Sequence, residues 1–417
     1  MKRLTLHNAE SRLEKRRKNN NGEEYDLFKD ESLNSLLVRS KRDWEAGEII
    51  QRNGYKLIFT DIAFHESFTI NKGTQIKEII CTSDFLFVLD FAGHAFVYNR
   101  RTINGDKEFI QSLFFNKENS SLIVVYCKDH DCYQRIFCRS IHLSLITKNQ
   151  FDKGIEILQS EHFEHPSFVE FDHVNKVLLS FCASRFSYKI WDLKNYELKF
   201  EMSGKDVFEV RLSPGNILVI LKEKNGIQPV KLIDYASGQV VKSLYLKTQN
   251  RGKVLFLELF LDRLFFFQER RDLTIIDPFK EKVLSVVNNF KKPYSFIYMY
   301  NHCKYIGFRG NKIAIWNLQG TVDVEFEDNI LADAEGKYCT FYLSEEQDVI
   351  ISSCLVNPMD KNHCTINISE IKTGKLLKKI ECELCDITAL TFCENRQELF
   401  VGHGNGQITV YSVLESK

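Results

Sequence analysis

Cys127, His130, Cys132 and Cys138 place four soft donors in one short stretch, a grouping that could hold zinc through ionised thiols and a neutral imidazole. The spacing matches no common zinc finger. Cys127 and Cys138 also fall where two strands would flank a polar turn, and in the competing reading they are small hydrophobes in a core. Cys382-Glu383-Leu384-Cys385 is a lone C-x-x-C, an arrangement that lowers a thiol's pKa when it opens a helix. Here it precedes a strand pattern, so no redox centre of that kind is expected. Acyl-transfer chemistry needs a nucleophile, a base within hydrogen-bond reach and an orienting acid. Ser213-Pro214-Gly215 reads as a turn rather than a strained elbow, and the 11 histidines are scattered. The sequence therefore assigns no catalytic, cofactor-binding or metal-binding residue, and a non-enzymatic protein is expected.

The elements that carry these residues are built from large apolar side chains. Apolar residues make up 44% of the 417 positions, and 33 Phe and 16 Tyr stand against 20 Gly and 6 Pro; this favours packed strands over disorder. Such a length suits two or three domains or one repeat architecture. Fifty-six basic and 56 acidic residues cancel, so no global field would draw in nucleic acid or an anionic membrane. The chain opens on Met1-Lys2-Arg3 without an apolar leader, so its 12 cysteines are expected to be reduced, in the cytoplasm or nucleus. The most apolar run, Val254 to Phe267, is interrupted by Glu258, Asp262 and Arg263 and is too short to span a membrane.

Three regions follow from the patterning. Residues 1–29, with Lys15-Arg16-Arg17-Lys18, read as a disordered basic tail; nuclear targeting or phosphate contact are its alternative roles. Residues 30–54 read as a helical extension, with Leu33, Leu36, Leu37 and Trp44 on one stripe and Gly47 placed to stop it. From residue 55 to residue 417 the period changes to that of strands, in groups starting near Ile76, Phe109, Phe168, Val207, Val254, Ser295, Tyr338 and Ile387. Most steps are about 40 to 48 residues, the period of a propeller blade. The last group, ending at Gln407 to Tyr411, lacks an outer strand. Tyr55 to Phe59 or Ser67 to Ile70 is expected to supply it, because a ring of blades must leave no open edge. The long step after the second group assigns 147–164 to an inserted loop or hairpin. The expected fold is an all-β propeller of seven or eight blades.

Ser187 to Leu193, read as an inner strand, ends in Trp191-Asp192, and Trp316-Asn317, Ile233-Asp234 and Ile276-Asp277 repeat the pattern. On these strand ends the chain resembles the WD-repeat propeller family over roughly residues 55 to 417, although no Gly-His dipeptide opens any of the groups. Trp316-Asn317, Phe326-Glu327-Asp328 and Asp386 to Leu390 are similar to an uncharacterised group of WD-repeat proteins in plants and protists. That group supplies no activity.

The resemblance implies a protein-interaction scaffold, with Trp packed between blades and Asp capping the following turn. Trp191-Asp192-Leu193-Lys194 is also similar to the Trp-Asp-x-Arg/Lys box by which some WD-repeat proteins dock on the adaptor of cullin-type ubiquitin ligases. This would make Trp191, Asp192 and Lys194 partner-binding residues and the protein a substrate receptor. Phe308-Arg309-Gly310 resembles the arginine motif of phosphoinositide-binding propellers, with Arg309 as the lipid contact and the second arginine missing. Other proteins are the expected partners; no small-molecule substrate, nucleic acid or membrane span is expected.

Overall fold

The computed structural model describes residues 2–5, 62–98, 102–128, 135–158, 167–213, 215–248, 252–288, 290, 295–299, 302–309, 312–331, 341–344, 346–357, 360–382 and 386–413. They form an eight-bladed β-propeller of antiparallel sheets. Blade one holds Ile76–Cys81, Leu86–Asp90 and Ala95–Val97. Blade two runs from Glu108–Asn116 through Ser121–Lys128 and Phe137–His142 to Ile155–Ile157. Blades three to seven begin at the inner strands Phe168–Asp172, Val207–Ser213, Val254–Phe260, Ser295–Met299 and Phe341–Leu343. Eight blades, not seven, is thus the count: the two weakest sequence groups each form a sheet of their own.

Blade eight closes the ring. Ile387–Cys393, Glu398–His403 and Gln407–Val413 come from the end of the chain, and the outer strand Ile62–Thr69 comes from before blade one, pairing Ile62 with Val413 and Thr69 with Gln407. This strand takes in most of the Ser67 to Ile70 candidate; Tyr55 to Phe59 lies outside the described residues. The segment 147–164 carries the outer strand of blade two, Ile155–Ile157, which pairs with Cys138 to Ser140 after a short helix, Leu143–Thr147, and a 3-10 turn. Lys2–Thr5, at the front of the segment read as a disordered tail, is a strand that adds to the inner edge of blade three, pairing with Phe168 to Phe171. The expected helix over 30–54 and the Lys15 to Lys18 run lie outside the described residues.

Each sheet is covered on both faces, which is why second strands such as Val177–Cys182 are apolar almost without alternation. Eight apolar clusters occupy the eight seams. Phe114, Ile123 and Val125 of blade two, for example, meet Val169, Phe171 and Leu178 of blade three. The cluster of Ile76, Ile79 and Val88 with Ala389, Phe400 and Val410 lies between blades eight and one, so the ring is sealed by the same packing that joins every other pair. Outer strands behave differently: Leu198–Ser203 alternates between half-buried and exposed residues.

Candidate functional site

Trp191 and Asp192 end the third strand of blade three, Ser187–Asp192, not an inner strand. A β-bulge falls between Ile190 and Trp191, where the pairing with Leu198–Ser203 shifts by one residue. The indole is half-buried against the seam with blade two, and its Nε1–H donates to Ser180 Oγ at 2.9 Å. Asp192 Oδ1 accepts the N–H of Lys194 at 2.7 Å, and Lys199 Nζ lies 2.8 Å from Oδ2. Burial opposes ionisation of this carboxyl, yet Lys199 and the Lys194 N–H outweigh it and hold its pKa below the usual range.

The same device recurs. Bulges precede the ends of the third strands in blades four, five and six. At each end, Asp234, Asp277 or Asn317 accepts backbone N–H groups from the turn that follows. The side-chain oxygen replaces the strand partner that the turn removes. Asp192 is thus committed to its turn. Leu193 is fully buried, and its carbonyl accepts Asn116 Nδ2 of blade two at 2.7 Å, while Asn119 Nδ2 reaches the Lys194 carbonyl at 3.2 Å. The Lys194 side chain is left exposed on a tightly held loop.

The other sequence candidates separate. Cys127 and Cys138 are both fully buried in the seam between blades two and three. Burial pushes the Cys138 thiol pKa well up, which suits a core residue rather than a ligand; His130 and Cys132 lie outside the described residues. Cys382 is half-buried at a strand end, with Cys385 outside the described residues. Ser213 Oγ donates to the Leu259 carbonyl at 2.9 Å, joining blades four and five. Arg309 ends the second strand of blade six, Lys304–Arg309, beside the fully buried Phe308, and its side chain lies outside the described residues. No group of three His, Cys, Asp or Glu side chains arranged to hold a metal occurs among the described residues.

Two polar constellations escape sequence reasoning. In blade eight, His403 lies 3.2 Å from Asp386 through Nδ1 and 2.9 Å from Thr409 through Nε2. Burial lowers the His403 pKa and Asp386 only partly offsets it, so the imidazole is held neutral as a structural bridge. The Gly402-His403 dipeptide was the available signal, but it sits at the end of a second strand rather than opening a group. In blade two, Arg139 makes a two-pronged ion pair with Glu108 at 2.9 and 3.0 Å, the guanidinium lies 5.0 Å from the Tyr126 ring centroid, and the Tyr126 hydroxyl donates to Glu156. Burial, and then Glu156, raise the Tyr126 pKa. Since Glu108 already occupies the fork, Arg139 offers no free site to a phosphate.

The surface differs from blade to blade. On the outer strand of blade four, Val240–Lys247, the side chains of Val240, Val241 and Tyr245 are exposed, Tyr245 by 71%. On that of blade five, Lys282–Val287, Val283, Leu284 and Val286 are exposed. Lys242 Nζ lies 2.6 Å from Glu281 and ties the two edges into one surface. The outer strand of blade seven, Leu376–Glu381, carries Lys378, Lys379 and Glu381 instead.

Comparison with known proteins gives a fold and no activity. A family model described as a domain of unknown function (DUF7899) matches residues 49–411. Among solved structures, the computationally designed Ika8 protein is similar at 15% identity and a TM-score of 0.50, over 83% of this chain and 98% of that one. BamB from Moraxella catarrhalis shows 10% identity and a TM-score of 0.43, over 84% of this chain and 99% of that one. No curated protein matches. At such identities the likeness concerns the fold alone.

Proposed function

We propose that this chain, which belongs to the DUF7899 family, is a non-enzymatic protein-interaction platform whose binding surface is the outer rim of blades four and five. The exposed edge of these blades supports this most directly. An outer strand presents unpaired N–H and C=O groups, and sheets usually guard such edges with charge. Blade seven does so with Lys378, Lys379 and Glu381, whereas blade five leaves Val283 to Val287 uncharged after Lys282. The occupant that fits is an extended apolar segment of another protein, adding as a strand and placing alternate side chains against Val283, Leu284 and Tyr245. Among the described residues no helix is long and apolar enough to cross a membrane; a cytoplasmic or nuclear setting belongs to the same proposal. A WD-repeat kinship does too, supported by the Ser180–Trp191 hydrogen bond and the repeated turn caps.

Leu284→Lys with Val286→Lys is expected to leave the melting temperature within about 2 °C, because both side chains already face solvent. The same variant is expected to weaken partner capture at least about tenfold. A photo-reactive residue at 284 should cross-link the captured protein, and one at Lys378 should not. Equal cross-linking at both positions would remove the rim from consideration.

A second reading, a substrate receptor of a cullin-type ubiquitin ligase, is supported by the exposed Lys194 side chain on its braced turn. Lys194→Glu keeps Asp192 and its cap, so stability should be unchanged while co-purification of the ligase adaptor is lost. Failure of the wild type to bind adaptor would end this reading and leave the rim untouched.

A further inference from the structure

Cys81 ends the inner strand of blade one, and Cys393 ends the inner strand of blade eight. Both thiols are free, and both donate to one acceptor, the carbonyl oxygen of Thr82, at 3.3 Å from Cys81 Sγ and 3.6 Å from Cys393 Sγ. Sharing that acceptor brings the two sulfurs together across the seam. The two blades meet tightly along this seam: a Cβ on Gly402, in the second strand of blade eight, would stand 2.7 Å from a methyl of Ile76 at the other end of the Cys81 strand. We propose that Cys81 and Cys393 are a redox modification site, which peroxide converts to a disulfide across the seam between blades eight and one.

The chemistry divides unequally between the two sulfurs. The neighbouring Cys81 thiol holds the Cys393 pKa below its ordinary value against the effect of burial; the Arg396 backbone N–H and guanidinium add to this, and Glu398, ion-paired with that guanidinium, opposes it. The Cys81 pKa is raised, first by its neighbour Cys393 and then by burial. Cys393 is therefore the attacking thiolate and Cys81 the resolving thiol. The Cys393 thiolate forms an S–O bond with one peroxide oxygen, the O–O bond breaks, and the departing hydroxide takes a proton to become water. Cys81 then loses its proton and attacks the Cys393 sulfenic sulfur, forming the S–S bond as the S–O bond breaks and a second water leaves. Two thiols are oxidised by two electrons and one peroxide is reduced to two waters.

Thr82 and Cys393 are 311 residues apart in sequence, so this bond would run the covalent chain through every blade into a closed circuit. The paired strands Ile62–Thr69 and Gln407–Val413 could then part without the ring opening between its first and last blades.

The full chain, purified reduced and titrated with hydrogen peroxide, tests the assignment by intact mass and non-reducing peptide mapping. The expected product has lost two hydrogens, carries a Cys81–Cys393 linked peptide, and melts at a higher temperature than the reduced protein. Cys81→Ser should stop at a Cys393 sulfenic acid that dimedone traps, and Cys393→Ser should leave Cys81 reduced. If peroxide oxidises Cys303 while Cys81 and Cys393 remain alkylatable, or if either pairs with another cysteine, the proposal is overturned.

Discussion

Gly406→Ala is expected to destabilise the protein by about 2–5 kcal/mol, combining about 1–2 kcal/mol for a left-handed alanine with about 1–3 kcal/mol for overpacking. Gly406 has φ +85° in the turn between the last two strands, and an added Cβ would collide with the carbonyl of Asn71 and stand 2.9 Å from that of Thr74. Both are backbone atoms, so no side chain can rotate away. The Gly406 carbonyl also accepts the N–H of Ile70, and the Asn405 carbonyl that of Gly73, at the end of the closing strand. Movement to relieve the collision would therefore pull on the ring's closure. Gly73→Ala separates the two effects: its φ is +83° but nothing lies within 4 Å, so only the conformational cost, about 1–2 kcal/mol, should appear. Denaturant midpoints of the two variants measure the difference. Equal losses would show that the close approach of Asn71 contributes nothing.

Arg139→Met should cost about 3–5 kcal/mol, because it leaves the Glu108 carboxylate buried without its counter-charge. Both side chains are less than one-tenth exposed, so water cannot substitute for the guanidinium. Adding Glu108→Leu should recover most of the loss, since well-packed hydrophobic residues often replace a buried pair at little cost. Urea unfolding of the single and double variants gives the coupling. A double variant no more stable than Arg139→Met would mean that packing against the Tyr126 ring, not charge, is what Arg139 supplies.

Much of the fold is written in local alternation. Ile76, Phe168, Val207, Val254, Ser295 and Ile387 open their observed inner strands, and Phe109 falls one residue inside its own. The period of two along a strand is set by neighbours in sequence, so it survives in a single chain. The Asp and Asn turn caps are legible for the same reason: Asp192, Asp234, Asp277 and Asn317 act on residues two to four positions ahead. The polar groups that join blades leave no such trace. Asn116 reaches Leu193 across 77 residues, and Cys393 meets Thr82 across 311. Cys81 and Cys393 each look like core filler in their own strands. Arg139 and Glu108 interrupt apolar runs as surface charges would, and only the packing of blade two turns them inward. Exposure at the rim is equally nonlocal, since Val283 to Val287 reads as any buried strand until its position at the outside of a sheet is known.

The closing strand Ile62–Thr69 also fixes an order of events during synthesis. It leaves the ribosome before any of the eight sheets is complete, while its partner, Gln407–Val413, follows every other strand of the ring. Until the last strand of the ring has been made, its apolar residues, Ile62, Phe64 and Phe68, have no sheet to join. Such a strand is a point of entry for aggregation or for a chaperone. The nascent ring can assemble blade by blade from local hairpins, but its last step waits on one contact between the two ends of the fold.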